Sequence, residues 1–275
     1  MIQNKTIAVV VPCFNEEQQI SRVIENMPDF VDRIIIVDDK SIDKKTSIIK
    51  SFINNDDGSK QLKFSHKKIK ENLFNQADII VQKKNKDEIK SFPDFKIFNE
   101  NNYNKIVLIE KNINSGNGHA ISIGLKWCKD NQIDAVAIMD GDGQMDPEEL
   151  NNIISPVLHE GIDYVKGNRL RHPSSWIVIP KIRFIGNSIL SILTKISSGF
   201  WRVSDTQTGY VCFSKKALNS IKLYNIHNTY GWPNDILIKL NIARCIIKEI
   251  QIKPIYNLGE KSKMRIWKII FPILH

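Results

Sequence analysis

The stretch Ile138-Met-Asp-Gly-Asp-Gly-Gln-Met-Asp-Pro147 decides how the rest of this sequence is interpreted. It follows the apolar run 135–139, which is typical of a buried strand, and it places Asp140 and Asp142 two residues apart. Because the pleat relaxes where a strand ends, both carboxylates and the Gln144 amide can converge on one cation. Such oxygen ligands suit Mg²⁺ or Mn²⁺, which complete their coordination with water and substrate phosphates. The stretch therefore predicts a metal-bridged nucleotide diphosphate.

The alternative for this stretch is an ordinary turn. Asp, Gly and Pro are frequent in turns, and Asp146-Pro147 would cap the helix that follows. The choice between the two depends on what other parts of the chain bring to the same place.

Two more strands near the start of the chain end in polar clusters. Residues 6–11 and 33–37 are apolar runs, and a helix with one apolar face lies between them, so the order is strand, helix, strand. The clusters that follow the two strands are 12–17 and 38–43. Since ligands of open parallel sheets bind at the carboxyl ends of the strands, both clusters are expected beside a nucleotide.

A third strand is predicted at 105–109, before Asn114-Ser-Gly-Asn-Gly-His-Ala120 and a helix. Glycines at such a turn let backbone amides approach an anion, but the signal is weak. It fits neither the Rossmann spacing nor the P-loop pattern. Residues 53–105 are rich in Asn, Lys and Asp, which predicts an insertion with a solvated surface and no assignable role.

After the acidic stretch we expect a further amphipathic helix, a short strand at 164–166 and then Gly167-Asn-Arg169. Apolar residues recur at helical spacing from Ile182 to Ile196. Packing against the core is the preferred interpretation of this helix. Its flanking Lys181, Arg183 and Lys195 make an anionic lipid surface the alternative.

Composition limits the class of protein. With 275 residues, 42% of them hydrophobic, the chain can form one substantial core, so we predict a single catalytic domain over 1–275. A net charge of +9 favours a polyanionic or membrane-surface partner, and no nucleic-acid recognition signature occurs. The four cysteines are far apart, as buried residues in a reducing compartment would be. Without a signal peptide or a long apolar run, we expect a cytoplasmic protein, with peripheral contact to the cytoplasmic membrane face left open.

Taken together, the motifs resemble those of family 2 glycosyltransferases of the GT-A fold, in the branch of dolichol-phosphate mannosyltransferases and bacterial polyprenyl-phosphate glycosyltransferases. Seven pieces occur in the family's order: Pro12 with Asn15-Glu16-Glu17, Val37-Asp38-Asp39-X-Ser41-X-Asp43, Asn114-X-Gly116-X-Gly118-X-Ala120, Asp140-Gly-Asp142-Gly-Gln144-X-X-Pro147, Gly167-Asn-Arg169, Asp205 with Gly209-Tyr210, and Ser262-Lys263-Met264. The resemblance implies an α/β fold with a mostly parallel central sheet flanked by helices.

The resemblance also implies roles for individual residues. Those expected to border the nucleotide are Pro12, Phe14, Asn15, Glu16, Asp38, Asp39, Gly116, Gly118, Asp140 and Gly141. Asp140, Asp142 and Gln144 would hold Mg²⁺ or Mn²⁺. Arg169 and Arg183 would bind phosphate groups, and Ser262, Lys263 and Arg265 would lie on a loop that closes over the site.

Several of these residues have structural alternatives. Asn15 and Glu16 could cap the first helix, Arg169 and Arg183 could be surface charges, and Asp205 could cap a turn. Lys263 and Arg265 could solvate the amphipathic basic segment at 257–275.

The implied reaction is inverting transfer of a sugar from a UDP- or GDP-linked donor to a polyprenyl phosphate or a growing cell-surface glycan. A lipid phosphate needs little help from a base, whereas a sugar hydroxyl would need a carboxylate such as Asp205 or Asp235. Trp232 could stack on a sugar ring or be part of the packing. A nucleotidyltransferase and a non-catalytic nucleotide-binding protein are the alternatives, and a homo-oligomer remains open. Unlike relatives that use lipid acceptors, the sequence shows no membrane-spanning run after the catalytic motifs.

Overall fold

In this computed structural model, residues 2, 4–55, 72–99, 104–199, 201–229 and 231–256 are described. Their strands form one sheet in the order β3-β4-β2-β1-β5-β7-β6-β8. The strands are β1 (Ile7–Cys13), β2 (Arg33–Asp38), β3 (Phe95–Ile97), β4 (Ile106–Lys111), β5 (Ala135–Ile138), β6 (Tyr164–Asn168), β7 (Val211–Ser214) and β8 (Ile247–Gln251). The α/β fold with a sheet flanked by helices is confirmed.

Helices cover both faces of this sheet. They are α1 (Glu17–Glu25), α2 (Lys45–Asn54), α3 (Gln76–Asp87), α4 (Asn117–Asp130), α5 (Leu150–His159), α6 (Ser175–Val178), α7 (Lys181–Ser198), α8 (Lys215–Ser220) and α9 (Trp232–Ile242). Helices α4, α8 and α9 contribute to the core on one face, and α1, α2 and α5 contribute to the core on the other. Every residue of β1, β2 and β5 is buried, which explains why these strands are continuous apolar runs in the sequence.

The direction of the strands positions the site. Strands β4, β2, β1 and β5 are parallel, so their carboxyl ends share one edge of the sheet. Strand β7 lies antiparallel between β5 and β6 and was not predicted. Strand β6 runs in the same direction as β5 and ends at this edge with Asn168. Strand β7 runs in the opposite direction and begins at the same edge, so the segment with α6 and α7 that connects the two strands starts and finishes there.

Part of the predicted insertion is tied to the sheet. Helix α3 has no buried residue, as expected of a solvated surface. Strand β3, however, pairs with β4, and the buried Glu88 forms an ion pair with Lys129 at 3.0 Å. Glu88 also accepts a hydrogen bond from the Leu223 backbone amide. Residues 56–71 and 100–103 lie outside the described part of the chain.

The preferred interpretation of the helix at 182–196 was wrong in one respect. The helix forms, as α7, but Ile182, Ile185, Ile189 and Ile196 point away from the core and are exposed. The side that packs on the protein carries Leu190, Ser191 and Thr194. Ser191 hydrogen-bonds to Thr206, a contact that helical periodicity does not reveal, and it helps to fix the orientation of the helix.

Two further expectations concern cysteines and membrane spans. Three cysteines are buried, Cys245 is half-buried, and all four are free thiols. In the ranges that the structure describes, no helix combines the length and the apolar character needed to cross a bilayer.

Candidate active site

The polar clusters that follow β1, β2 and β5 meet at one edge of the sheet. The Asp39 amide donates to the Cys13 carbonyl at 3.1 Å, and the Gly141 amide approaches the Pro12 carbonyl at 3.4 Å. A Cβ on Gly141 would lie 2.6 Å from Glu16 Oε2. The acidic stretch therefore passes close to the end of β1 and to the Glu16 side chain, and the predicted convergence of these three strand ends is observed.

The loops after β1 and β2 are joined by side-chain hydrogen bonds. Asn15 has a positive φ of 54°, its amide donates to Ser41 Oγ at 3.0 Å, and its Oδ1 accepts from the Ile42 amide at 3.1 Å. Glu16 makes no capping hydrogen bond, and Asp43 accepts from the Glu17 amide instead. The capping alternative for Asn15 and Glu16 was therefore wrong, because the side chain that accepts a hydrogen bond from the first turn of α1 is Asp43 of the neighbouring loop.

Asp38 and Asp39 are both buried and are fixed by lysines that the sequence analysis did not identify. Asp38 pairs with Lys45 Nζ at 2.9 Å and accepts from Ser41 Oγ at 2.6 Å. Asp39 pairs with Lys111 and accepts from the Gly116 amide at 3.0 Å. Asp39 thus connects the end of β2 to the start of α4. Contact of either carboxylate with a nucleotide stays a prediction.

The glycines before α4 are explained by packing. Gly116 has a φ of 97°, and a Cβ there would lie 2.5 Å from the Asn228 carbonyl oxygen. A Cβ on Gly118 would overlap the His227 carbonyl oxygen. The structure thus requires both glycines for the close approach of the loop at 227–228, and their contact with a nucleotide stays a prediction.

Asp140 has the properties of a cation ligand. Its Oδ1 is buried and, among the described residues, has no hydrogen-bond partner. Burial raises the pKa of Asp140 to about 7, and the nearby Asp142 adds to the effect, while Asn117 and Arg169 oppose it. Asp142 Oδ1 accepts from the Gln144 amide at 3.0 Å, which folds the loop back beside Asp140. A divalent cation would satisfy the orphaned oxygen and the paired negative charge.

This donor set is small. Within the part of the chain that the structure describes, no three His, Cys, Asp or Glu side chains are arranged to hold a metal. The residues present therefore fit Mg²⁺ or Mn²⁺ that draws its other ligands from Gln144, water and substrate phosphates, and they do not fit a cation held by protein alone.

Arg169 faces the acidic pair and is held by Asp205. Its Nε and Nη2 donate to Asp205 Oδ2 and Oδ1 at 3.0 and 3.2 Å. Burial by itself would raise the pKa of Asp205, but the adjacent Arg169 guanidinium lowers it below its ordinary value. Asp205 also accepts from the Gln207 amide at 3.2 Å, so the predicted turn contact is present as well. Arg169 is consequently a positioned cation in the site, not a free surface charge.

Two residues of β8 and β6, the half-buried Glu249 and the buried Lys166, support this pair. Glu249 of β8 accepts from the Asp205 amide at 3.0 Å and from Asn168 Nδ2 at 3.0 Å. Lys166 donates to the Thr208 carbonyl at 2.7 Å, and burial lowers its pKa to about 8 although Asp205 acts in the opposite direction. No local sequence signal identifies Glu249, because its partners are distant in the chain.

The remaining candidates have different surroundings. Trp232 is only 3% exposed and belongs to the core, which favours packing over stacking on a sugar. Trp232 nevertheless lies close to the acidic pair. A Cβ built on Gly209 would be 3.2 Å from the edge of the Trp232 ring and 3.3 Å from Asp140 Oδ2. Asp235 pairs with Lys239 and accepts from the His227 amide at 2.8 Å. Its contacts order the start of α9.

Arg183 stands at the start of α7, with its guanidinium 5.6 Å from the centre of the Tyr256 ring. The residues of the predicted closing loop, Ser262, Lys263 and Arg265, lie outside the described residues.

Comparison with known proteins gives consistent matches. Glycosyl transferase family 2 matches residues 8–77 and 86–222. A UDP-N-acetylglucosamine–dolichyl-phosphate N-acetylglucosaminyltransferase of Methanococcus voltae is 29% identical over 255 residues, covering 92% of this chain and 87% of that protein. An uncharacterised protein of Methanocaldococcus jannaschii is 25% identical over 278 residues, covering 99% of this chain and 93% of that one.

Solved structures show the same architecture. Glucosyl-3-phosphoglycerate synthase from Mycobacterium tuberculosis in complex with UDP superimposes with a TM-score of 0.60 at 19% identity, covering 98% of this chain and 79% of the synthase. Its complex with Mn²⁺, UDP and glucosyl-3-phosphoglycerate gives a TM-score of 0.54 at 18% identity, covering 94% and 74%. This likeness confirms the predicted GT-A fold.

Proposed function

Since the chain belongs to glycosyltransferase family 2, we propose that it is an inverting enzyme that transfers a sugar from a UDP-linked donor to a polyprenyl phosphate. The observation that carries the proposal is that the positioned Arg169 lies close to Asp140, whose buried Oδ1 lacks a hydrogen-bond partner in the described structure. The relative from Methanococcus voltae, named for a UDP-linked donor and a dolichyl-phosphate acceptor, supports this choice of substrates.

The state of the two candidate bases favours a phosphate acceptor. Asp205 is fully buried and bound to Arg169, and Asp235 is paired with Lys239. Neither is placed to take a proton from a sugar hydroxyl. A lipid phosphate brings an oxygen that is already anionic near neutral pH, so it can attack without a base. This argument makes a glycan hydroxyl the second choice of acceptor.

A divalent cation is part of the proposal. Asp140, Asp142 and Gln144 would hold Mg²⁺ or Mn²⁺, and the ion would neutralise charge on the leaving diphosphate. The Mycobacterium tuberculosis synthase, whose likeness to this chain shows the fold, was crystallised with Mn²⁺ and UDP and also with Mg²⁺ and UDP.

The residues of this chain would act mainly through charge and position. As the acceptor oxygen bonds to the anomeric carbon, the bond from that carbon to the diphosphate oxygen breaks on the opposite face, which inverts the centre. Negative charge grows on the diphosphate as it leaves. Arg169, fixed by Asp205, is oriented in advance to stabilise this charge, and such preorganisation is the largest contribution in many enzymes.

The test is a transfer assay with the full-length protein. Labelled UDP-N-acetylglucosamine, other UDP-sugars and GDP-sugars would each be incubated with Mg²⁺ or Mn²⁺ and a polyprenyl phosphate in detergent. We expect label in the lipid phase together with release of the nucleoside diphosphate.

Three other results would replace the proposal. Label transferred only to a sugar hydroxyl would indicate a glycan acceptor. Release of pyrophosphate would indicate a nucleotidyltransferase, and nucleotide binding without turnover of any donor would indicate a non-catalytic protein.

A further inference from the structure

Helix α7 presents an apolar stripe to the outside of the protein. Five isoleucines share one side of the helix and are each at least half exposed: Ile182, Ile185, Ile189, Ile192 and Ile196, with exposed fractions of 78, 52, 52, 53 and 63%. Their spacing of three and four residues keeps them in one line along the helix. A continuous stripe of this kind is unusual on a soluble surface and marks a binding site for another apolar surface.

The outward direction of this stripe is fixed by the packed side of the helix. Leu190, Ser191 and Thr194 are all less than 5% exposed. Ser191 Oγ accepts from the Thr206 amide at 3.2 Å and lies 3.2 Å from Thr206 Oγ1. Turning the isoleucines inward would break these contacts and expose Leu190. The stripe is therefore outside because polar contacts hold the helix in this rotation.

Helix α6 extends the same surface. Trp176 and Ile177 are 55 and 85% exposed. The Trp176 ring packs edge-on against Phe184 of α7 with 5.3 Å between centroids, and Lys181 Nζ lies 5.9 Å from the Trp176 ring. An exposed tryptophan beside a lysine is a common arrangement at the boundary between water and lipid.

Charge identifies the partner. The segment 170–204, which includes α6 and α7, contains five lysines and arginines and no aspartate or glutamate. If two copies of the chain packed stripe to stripe, these cations would face one another without counter-charges from the segment itself. A bilayer with acidic headgroups supplies both the apolar phase and the negative charge.

The first turn of α7 is next to the catalytic site. The Arg183 guanidinium lies 5.6 Å from the centre of the Tyr256 ring, and Tyr256 is also close to Arg169. A surface that lay along α7 would consequently meet the protein beside the residues that face the leaving diphosphate.

We propose that the exposed face of α6 and α7, here called the isoleucine face (Trp176, Ile177, Ile182, Ile185, Ile189, Ile192 and Ile196), docks the protein on an anionic bilayer. The isoleucines enter the boundary between headgroups and acyl chains, and Lys181 and Lys195 of α7 contact the headgroups. This inference rests on the proposed function, because it brings the site to the depth at which the phosphate of a polyprenyl phosphate lies.

The test is sedimentation of the full-length protein with vesicles that contain neither polyprenyl phosphate nor donor. We expect binding to vesicles of phosphatidylglycerol and phosphatidylcholine, and weak binding to phosphatidylcholine alone. The triple variant Ile185→Ser, Ile189→Ser, Ile192→Ser should lower the partition coefficient by about tenfold or more, because interfacial binding scales with buried apolar area. The matched control is Ile80→Ser, Val81→Ser on α3, two similarly exposed apolar residues, which should bind like the wild type.

Two results would overturn the docking proposal. One is equal binding of the triple variant and the wild type, with thermal unfolding showing that both are folded. The other is a concentration-dependent dimer in sedimentation velocity that the triple variant abolishes while vesicles fail to bind, since a second copy would then cover the stripe.

The design separates docking from catalysis. Vesicle binding requires no turnover, so it can be observed even if the transfer assay fails. If the transfer proposal is also right, the triple variant should keep wild-type turnover on a short, water-soluble prenyl phosphate and lose turnover on a long-chain acceptor in vesicles.

Discussion

Asp205 holds the Arg169 guanidinium with both carboxylate oxygens, at 3.0 Å from Nε and 3.2 Å from Nη2. The two residues come from opposite ends of the segment that contains α6 and α7. Asp205 is fully buried, whereas the Arg169 side chain is 21% exposed. The pair thus fixes the direction of a cation that faces Asp140.

Replacing Asp205 with Asn should lower kcat about 100-fold, because small misplacements of a positioned group have effects of this size. The free energy of unfolding should fall by about 3 kcal/mol as a buried pair is broken. Steady-state kinetics and urea unfolding measure the two effects. Asp163→Asn is the control, since Asp163 is a buried, lysine-paired carboxylate at the amino end of β6, and it should lose stability without losing kcat. Equal losses of kcat in both variants would contradict the positioning role.

Asp142→Asn should abolish stabilisation by metal and nucleotide. With Mn²⁺ and UDP near 100 times the dissociation constant, the wild type should gain about 2.7 kcal/mol and several degrees in Tm. The variant should gain almost nothing, because one of the two carboxylates of the cation site is lost. Asp146→Asn, in the same loop but occupied with capping and with Lys253, should respond like the wild type. The Tm of all three proteins is measured by thermal unfolding with and without Mn²⁺ and UDP. An increase in the Tm of Asp142→Asn equal to that of the wild type would contradict the role of Asp142 as a metal ligand.

Asp235→Asn should retain transfer to a polyprenyl phosphate within about tenfold of the wild type. A general base contributes about 100- to 10,000-fold, and Asp235 is engaged with Lys239 and the His227 amide instead. Initial rates with the lipid acceptor measure the effect. A loss of two or more orders of magnitude in a folded variant would restore Asp235 as the base and favour a hydroxyl acceptor.

Gly118→Ala should destabilise the protein by about 1–3 kcal/mol, the usual range for overpacking, because the new Cβ would overlap the backbone carbonyl of His227. Gly186→Ala, in the open middle of α7, should instead add about 0.5–1 kcal/mol, since nothing lies within 4 Å of its Cβ and alanine favours helix. Urea unfolding of the two variants should give opposite signs, and equal tolerance would exclude the close approach at Gly118.

Lys166→Met should change how stability depends on pH. Burial lowers the pKa of Lys166 to about 8, below its value near 10.4 in the unfolded chain. Between these values the unfolded state binds more protons, so this lysine makes the wild type more stable as pH rises, by up to about 1.4 kcal/mol per pH unit. Relative to the variant, the wild type should gain stability between pH 8 and about 10. Urea unfolding of both proteins at about pH 8 and pH 10 measures this effect. If the difference in the free energy of unfolding between wild type and variant is the same at both pH values, the pKa of Lys166 is not lowered by burial.

Much of the site could be predicted from short stretches of sequence. The acidic pair follows β5 directly, and the clusters after β1 and β2 follow apolar runs that are buried on both faces. Parallel strands bring their carboxyl ends together, so the convergence of these three clusters follows from local patterns alone. The resemblance of the seven motifs to family 2 glycosyltransferases then pointed to the fold, which the structural likeness confirms.

The partners of the charged residues could not be predicted in this way. Glu249 reaches Asn168 across 81 residues, and Lys111 reaches Asp39 across 72. No pattern within a window of the sequence contains such pairs. Asp205 and Asp235 were candidates for a base because a hydroxyl acceptor would need a carboxylate. The structure instead places each in an ion pair, Asp205 with the distant Arg169 and Asp235 with Lys239 one helical turn away.

The sequence by itself therefore determined the alternation of strands and helices, the edge at which the acidic pair lies and the periodicity of α7, because each depends on residues close together in the chain. The tertiary structure decided which side of α7 is outside, which carboxylates are occupied and why Gly118 must be glycine. Each of these depends on contacts between elements that are far apart in the chain. Such contacts, and not local propensity, set the rotation of α7 about its axis and the pairing of the charged side chains.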